Sequence, residues 1–126
     1  MLSGKEAMAT VAVRDLKAAK RFYEDTVGLE LVATQEEEGA LTYQSGSSRI
    51  LVYRSQYAGS NKATAATWIV GDDLEGVVQK LRAKGVAFER YDMPGMTRKE
   101  DVHVAGGMRV AWFKDPDGNI HALVSG

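Results

Sequence analysis

An internal repeat is the feature that most restricts how this 126-residue chain can fold. Asp15 recurs as Asp73, 58 residues later, and Gly28 recurs as Gly85, 57 residues later. In each copy the aspartate can cap a helix, an apolar stripe at helical spacing follows, and the glycine ends the helix. A repeat of this length that occurs only twice is too long for a solenoid unit. It predicts two similar modules in tandem.

The segments that flank each helix are typical of β-strands, because they are rich in apolar and β-branched residues and are bounded by turn residues. The first copy predicts a strand over 7–13, a helix over 16–27 and strands over 29–34, 40–44 and 49–54. The second predicts a strand over 63–70, a helix from 74 to the stop at Gly85, and strands over 86–91, 110–113 and 120–124. The chain therefore reads as one α+β domain of two βαβββ modules, about 7–55 and 63–125.

The last two strands are joined by Asp115-Pro116-Asp117-Gly118. Proline presets φ for the second turn position, aspartate can hydrogen-bond nearby backbone, and glycine accepts a positive φ. This turn predicts a tight hairpin. By contrast, residues 91–107 predict the longest connection in the chain, which could act as a lid or binding loop.

Composition excludes several classes of function. The net charge is −1, with 16 basic and 17 acidic residues, so nothing favours nucleic acid as a partner. The absence of cysteine rules out disulfides and thiolate metal sites. No apolar run approaches the length of a membrane span. We expect a cytoplasmic protein with no membrane partner.

The doubled β-α-β-β-β order, the opening "VRDL…RFYEDTVGLEL" and the hairpin "FKDPDGN" together resemble the vicinal oxygen chelate superfamily. That group includes glyoxalase I, extradiol dioxygenases, fosfomycin-modifying enzymes and bleomycin-binding resistance proteins. The resemblance implies a cup-shaped, mostly antiparallel sheet with one helix per module outside it. It also implies that the hollow of the cup holds a small molecule and that two chains pair as a homodimer.

The same resemblance implies a divalent metal on His, Gln or Glu side chains from the first and fourth strands of each module. The corresponding positions are Met8, Val52, Ala66 and Ala122, with Ala65 in place of Ala66 if Asp72 caps the second helix. Alkyl groups and a thioether do not bind a hard divalent cation. We therefore predict no metal and no other cofactor, with an atypical metal site as the alternative.

The two histidines offer a second route to a metal or a catalytic base. His121 alternates with its neighbours on a strand, which predicts that it faces away from the pocket, toward the helix side. His103 lies near Glu100 and Asp101. These three could form a two-carboxylate, one-histidine site, but a solvated charge cluster is the favoured interpretation.

The pocket lining implied by the family positions, together with the long connection, gives a set of predicted ligand contacts. Aromatic and methionine side chains with a few polar groups would suit a planar or hydrophobic organic ligand. The predicted contacts are Met8, Thr10, Val52, Arg54, Trp68, Tyr91, Met96, Trp112 and Ala122.

Three hypotheses for function follow. The favoured one is a metal-independent small-molecule-binding protein, similar to the drug-sequestering resistance proteins, with its ligand between Trp68 and Trp112. The alternative is a lyase or isomerase of glyoxalase type with an atypical or missing metal site, in which no spacing identifies the catalytic residues among Tyr53, Arg54, Glu89, Tyr91 and His103. In the third, the pocket is vestigial and a homodimer interface is the function.

Overall fold

The computed structural model describes residues 1–126, except for the side chain of Glu36. The first module comprises β1 (Ala9–Val13), α1 (Leu16–Arg21) continued by a π-helical turn (Phe22–Thr26), β2 (Glu30–Gln35), a 3₁₀ turn (Glu36–Glu38), β3 (Ala40–Ser45) and β4 (Ser48–Arg54). The second comprises β5 (Thr64–Ile69), a 3₁₀ turn (Gly71–Asp73), α2 (Leu74–Ala83), β6 (Phe88–Glu89), β7 (Thr97–Lys99), β8 (Val102–Ala105), β9 (Met108–Lys114) and β10 (Ile120–Val124). No helix in the described part of the chain is long and apolar enough to cross a membrane.

The strands form two sheets of matching order. The first sheet runs β1-β4-β3-β2, and the second runs β5-β10-β9-β8-β7 with β6 also beside β9. In each module the first strand pairs in parallel with the last. The antiparallel pairs are β2–β3 and β3–β4 in the first sheet, and β6–β9, β7–β8, β8–β9 and β9–β10 in the second. The predicted α+β fold of two βαβββ modules is confirmed.

The two helices begin and end close to the residues predicted from the sequence. The side chain of Asp15 accepts a hydrogen bond from the backbone N–H of Ala18, 3.1 Å away, and so caps α1. Gly28 and Gly85 follow the two helices with φ of +84° and +93°, a conformation that other residues rarely adopt. Asp73 occupies the N-cap position of α2, but its side chain makes no capping hydrogen bond.

The predicted long connection over 91–107 is wrong in part, because it contains the β7–β8 hairpin. Both β6 and β8 pair with the same side of β9: Phe88 lies opposite Phe113, and His103 opposite Val110. One strand position is therefore divided between β6 and β8, with residues 90–101 inserted between them. The strand β7 is short, exposed and charged, so it lacks the apolar alternation that predicts a strand.

The inserted hairpin is fastened to α2 through Asp101. This carboxylate is nearly buried and accepts hydrogen bonds from the guanidinium groups of Arg82 and Arg90. Burial alone would raise the pKa of Asp101, but the two arginines outweigh it and hold the pKa below its ordinary value.

Each sheet has a buried face toward the helices, here called the helix side, and an opposite open face. Two apolar clusters fill the helix side, one in each module, and Phe22, Val27 and Trp68 pack against both. On the open face Ile69 is 77% exposed and Tyr53 is 38% exposed. The core thus joins the modules on the helix side, whereas the open face is accessible at residues such as Ile69 and Tyr53.

Candidate functional site

The hairpin turn 115–118 forms a buried polar junction between the modules. The carboxylate of Asp115, only 5% exposed, accepts hydrogen bonds from the backbone N–H groups of Asp117 and Asn119 and from the amide side chain of Asn119. It also accepts one from the hydroxyl of Tyr23, on the π-helical turn of the first module, at 2.7 Å. The amide of Asn119 in addition donates to the carbonyl of Ala12 in β1. The turn therefore has a tertiary role as well as a local one.

His121 belongs to this junction, and its predicted orientation toward the helix side is confirmed. Its Nε2 lies 2.8 Å from the Tyr23 hydroxyl, and its ring contacts Trp68 and Phe113. Because the Tyr23 hydroxyl donates to Asp115, the Nε2 of His121 must carry the proton and donate to the Tyr23 oxygen. Burial lowers the pKa of His121 to about 4, against a smaller opposing effect of Asp115. His121 is therefore a neutral structural residue near pH 7.

Burial also raises the pKa of Tyr23, and the neighbouring Asp115 raises it further. The phenol stays protonated, as its donation to Asp115 requires. This junction was not predicted from the sequence, since Tyr23 and Asp115 are 92 residues apart. The available signal was a tyrosine in the apolar stripe of the first helix, because a buried hydroxyl needs a partner.

Strand register divides the predicted ligand contacts between the two faces. Val52 pairs with Val11 and Leu41 in the core of the first module, and Arg54, paired with Val13, has the same parity. The prediction that Val52 and Arg54 face a pocket on the open face is wrong. Matching Val52 with Ala122 placed β4 one residue out of register: Leu51, opposite Thr10, is the true counterpart of Ala122, opposite Thr67.

The predicted placement of a ligand between Trp68 and Trp112 is also wrong. Trp112 lies opposite Ala122, whereas Trp68 lies opposite Leu123, so the two indoles are on opposite faces of the sheet. Trp68 stacks on Phe113 in the core and donates a hydrogen bond to the Ser45 hydroxyl. The expected parity of β5 was counted back from Asp73 as the helix cap. The alternative count from Asp72, which gives Ala65 in place of Ala66, has the observed parity, with Thr67 and Ile69 on the open face.

The other predicted contacts are at least partly exposed, except Ala122, which is buried. Thr10 is exposed on the open face of the first module, and Met8 is exposed just before β1. Tyr91, Trp112 and Ala122 are grouped on the open face of the second module. Met96 is half-buried in the turn that precedes β7.

An aromatic cluster of Tyr91, His103 and Trp112 is the main feature of that open face. The Trp112 ring meets His103 edge-on at 4.8 Å and Tyr91 at 5.3 Å between centroids. Its Nε1 donates to the hydroxyl of Thr64, 3.2 Å away. Trp112 and Tyr91 are partly exposed, whereas His103 is fully buried beneath them. We define these three residues as the aromatic site.

His103 is held in one orientation. Its Nε2 accepts a hydrogen bond from the backbone N–H of Tyr91 at 2.8 Å, so the ring proton resides on Nδ1, which faces the carbonyl of Val110 at 3.3 Å. The suggested site of His103 with Glu100 and Asp101 is not formed. Asp101 binds two arginines on the helix side, and Glu100 is exposed at the hairpin tip with φ of +55°.

A charged pair borders the aromatic site. Lys114 lies 3.2 Å from the carboxylate of Glu89, and both residues have the parity of Trp112. Burial raises the pKa of Tyr91, and the charge of Glu89 raises it further. The aromatic site thus offers two ring surfaces, a neutral phenol and an adjacent ion pair.

The residues at the positions of the family's metal ligands do not fit a metal. Met8 and Ala122 keep their positions, and once the register is corrected Leu51 replaces Val52 and Ala65, the stated alternative, replaces Ala66. None of these carries an imidazole or a carboxylate, the ligands that suit such ions. Among the side chains that the structure describes, no group of three or more His, Asp or Glu could hold a metal ion.

Comparison with known proteins identifies the family. A sequence model of the glyoxalase/bleomycin resistance protein/dioxygenase superfamily matches residues 7–123. The chain belongs to this superfamily. The vicinal oxygen chelate resemblance is confirmed, and the two βαβββ modules are the superfamily's fold. A search of curated proteins finds no match.

Solved structures share this superfamily fold at low sequence identity. The fosfomycin resistance protein FosX of Listeria monocytogenes is 16% identical with a TM-score of 0.75, covering 100% of this chain and 95% of that one. A lactoylglutathione lyase from Agrobacterium tumefaciens is 18% identical with a TM-score of 0.69, covering 95% and 92%. An integron cassette protein from the Halifax Harbour sewage outfall metagenome is 17% identical with a TM-score of 0.72, covering 96% and 98%. At these identities the likeness concerns the fold.

Proposed function

We propose that this superfamily member is a metal-independent small-molecule-binding protein that holds a planar organic ligand at the aromatic site. The observation that carries the proposal is the partly exposed Trp112, which is fixed by Thr64 and by the two rings beside it. A ligand ring that packs on Trp112 and Tyr91 would gain buried apolar area and a favourable ring geometry. Because these side chains are already ordered, binding costs little further side-chain entropy.

The proposal of metal independence rests on the donor set. Met8, Leu51, Ala65 and Ala122 stand where a metal would need strong ligands. Together with the hydroxyl groups of Thr10 and Thr67, these side chains make the open face mostly apolar, which suits a hydrophobic ligand. The chain would then resemble the binding members of the superfamily more than its metal enzymes.

We also propose that two copies of the chain pair as a homodimer. The open face exposes Ile69 and Tyr53 on neighbouring modules, and exposed apolar residues on strands favour association. A second copy would enclose the open face and exclude water from the ligand. Light scattering after size-exclusion chromatography should give twice the mass of one chain, and a monomer at micromolar concentration would contradict this part.

The test of the proposed function is a thermal-shift and tryptophan-fluorescence screen of planar aromatic compounds, with and without Mn²⁺, Ni²⁺ and Zn²⁺. Mn²⁺ is included because a structure of the Listeria FosX contains it. A ligand present at 100 times its Kd should stabilise the folded chain by about 2.7 kcal/mol. Stabilisation should be the same with and without metal.

Trp112→Ala should abolish this stabilisation. Trp68→Phe is the matched control, because it alters an indole on the helix side and should lower stability while leaving ligand affinity unchanged. Equal loss of affinity in both variants would contradict the assignment of the site. Stoichiometric bound metal, or metal-dependent turnover of a hemithioacetal, would instead establish the enzyme alternative.

A further inference from the structure

A cationic cavity lies on the helix side of the first module, away from the aromatic site. Its volume is about 410 Å³, within the range of small-molecule sites. Two leucines contribute its apolar part and four cationic residues surround it, with one carboxylate. The lining residues are Arg14, Asp15, Leu16, Lys17, Lys20, Leu41 and Arg54.

Strand topology brings the two arginines together. β1 and β4 run parallel, and Val13 lies opposite Arg54, so both strands end at the same edge of the sheet. Arg14 follows directly after β1, and Arg54 is the last residue of β4. The carboxyl ends of parallel strands are a common location for ligand sites.

Backbone groups lie against both arginine side chains. Arg14 donates from Nε and Nη2 to the carbonyl of Gln56, at 3.3 and 2.9 Å. Arg54 lies against Gly39, where an added Cβ would come within 3.2 Å of its Cβ and its Nη2. Gly39 also has φ of +75°, so glycine is required there for two reasons. A guanidinium group that is already hydrogen-bonded, as in Arg14, loses less entropy when it binds an anion.

One carboxylate, that of Asp15, lines this cavity. The carboxylate of Asp15 already accepts the capping hydrogen bond from Ala18. Glu37 and Glu38 line a separate cavity with Thr34 and Gln35. The chain as a whole carries a net charge of −1, so this concentration of cations is local.

We propose that this cavity binds a small organic oxyanion, with its phosphate or carboxylate group on Arg14, Lys17 and Arg54. The apolar part of the ligand packs on Leu16 and Leu41. Arginine forks match the paired oxygens of both groups, and such hydrogen bonds are about twice as strong as neutral ones. The site is separate from the aromatic site and does not depend on it.

The experiment is isothermal titration calorimetry of the full chain with phenyl phosphate, benzoate, inorganic phosphate and benzyl alcohol. We expect phenyl phosphate or benzoate to bind, phosphate to bind more weakly, and benzyl alcohol not to bind. Affinity should fall as sodium chloride is added, because the contact is between charges. Failure of both aromatic anions to bind at about 10 mM, a very weak affinity, would overturn the proposal.

Substitutions locate the binding. Arg54→Gln and Arg14→Gln should each weaken phenyl phosphate by about tenfold or more, whereas Arg54→Lys should have a smaller effect because it keeps the charge. Lys62→Gln, an exposed lysine in the connection between the modules, is the matched control and should leave affinity unchanged. Trp112→Ala should also leave it unchanged, which separates this site from the proposed function. An equal effect of Lys62→Gln, or loss of binding in Trp112→Ala, would overturn the proposal.

Discussion

The Tyr23 hydroxyl donates a hydrogen bond to the carboxylate of Asp115 across 2.7 Å and so links the helical segment of the first module to the last turn of the second. Both groups are almost fully buried. A buried carboxylate that loses a hydrogen-bond donor is no longer fully compensated for its lost hydration, and the folded state is destabilised. The link between the modules therefore depends on polar contacts as well as on the apolar core.

Tyr23→Phe should lower the free energy of unfolding by about 1–3 kcal/mol, because it removes a donor to Asp115 and the acceptor of His121. Urea denaturation followed by circular dichroism measures the change. Tyr43→Phe is the matched control, since the Tyr43 hydroxyl donates to the less buried Glu24 and should cost about 0.5–1.5 kcal/mol. A larger loss in Tyr43→Phe than in Tyr23→Phe would contradict this ranking.

Stability should decrease between pH 6.5 and pH 4 because of His121. Its pKa is about 4 in the folded chain against an ordinary value of 6.5, so in this interval the unfolded chain binds a proton that the folded chain does not. The expected loss is about 3 kcal/mol, measured by urea denaturation across the pH range. Gln can still donate to Tyr23 but does not titrate, so His121→Gln should flatten the profile over this interval. A profile that stays equally steep would refute the assignment.

Asp101 should make a separate contribution to the stability of the fold, one that is lost at low pH. Its pKa lies below the ordinary value of 3.8, so it stabilises the fold above that value, and the contribution is lost as pH falls further through the folded pKa. Asp101→Asn should loosen the inserted hairpin at neutral pH and cost about 1–3 kcal/mol. Hydrogen exchange should increase over β7 and β8 while β10 stays protected. Glu75→Gln, at an exposed ion pair with Arg109, is the control and should change little.

Gly59→Ala should destabilise the chain strongly. An added Cβ would lie 2.0 Å from the backbone carbonyl oxygen of Asp117, and the φ of Gly59 is +71°. Gly46→Ala is matched in backbone, with φ of +56°, but its Cβ would meet nothing within 4 Å. We expect Gly59→Ala to cost about 1–3 kcal/mol more than Gly46→Ala, the usual penalty of overpacking. Equal thermal midpoints for the two variants would show that Gly59 does not pack closely against the hairpin turn 115–118.

The local features of the fold were predictable from sequence. Asp15, Gly28 and Gly85 act within one or two helical turns, so their roles follow from residue type and spacing. The turn at Asp115 was predictable for the same reason. Its partnership with Tyr23 was not, because nothing in either segment specifies the distance between them in space.

The candidate site was only partly predictable. Trp112 and Tyr91 lie on the open face as expected, but Trp68 does not. Alternation fixes which residues of a strand share a face, but the sequence offered two caps for the second helix, and counting from Asp73 instead of Asp72 reverses the answer for β5. The hairpin over β7 and β8 was missed because it is stabilised by Asp101 and by pairing with β9, rather than by an apolar pattern of its own.

The parallel pairing that closes each module has a consequence for the order of folding. The strands β7 to β10 follow one another as antiparallel neighbours across short connections, whereas β5 reaches β10 only across the whole second module. Contacts between residues that are near in sequence form sooner, since less chain entropy is lost. We expect the antiparallel strands β7 to β10 to assemble first. The leading strands, β1 and β5, should pair with β4 and β10 last. Thr10 and Thr67, on the open face of these leading strands, would therefore be among the last residues to reach their native partners.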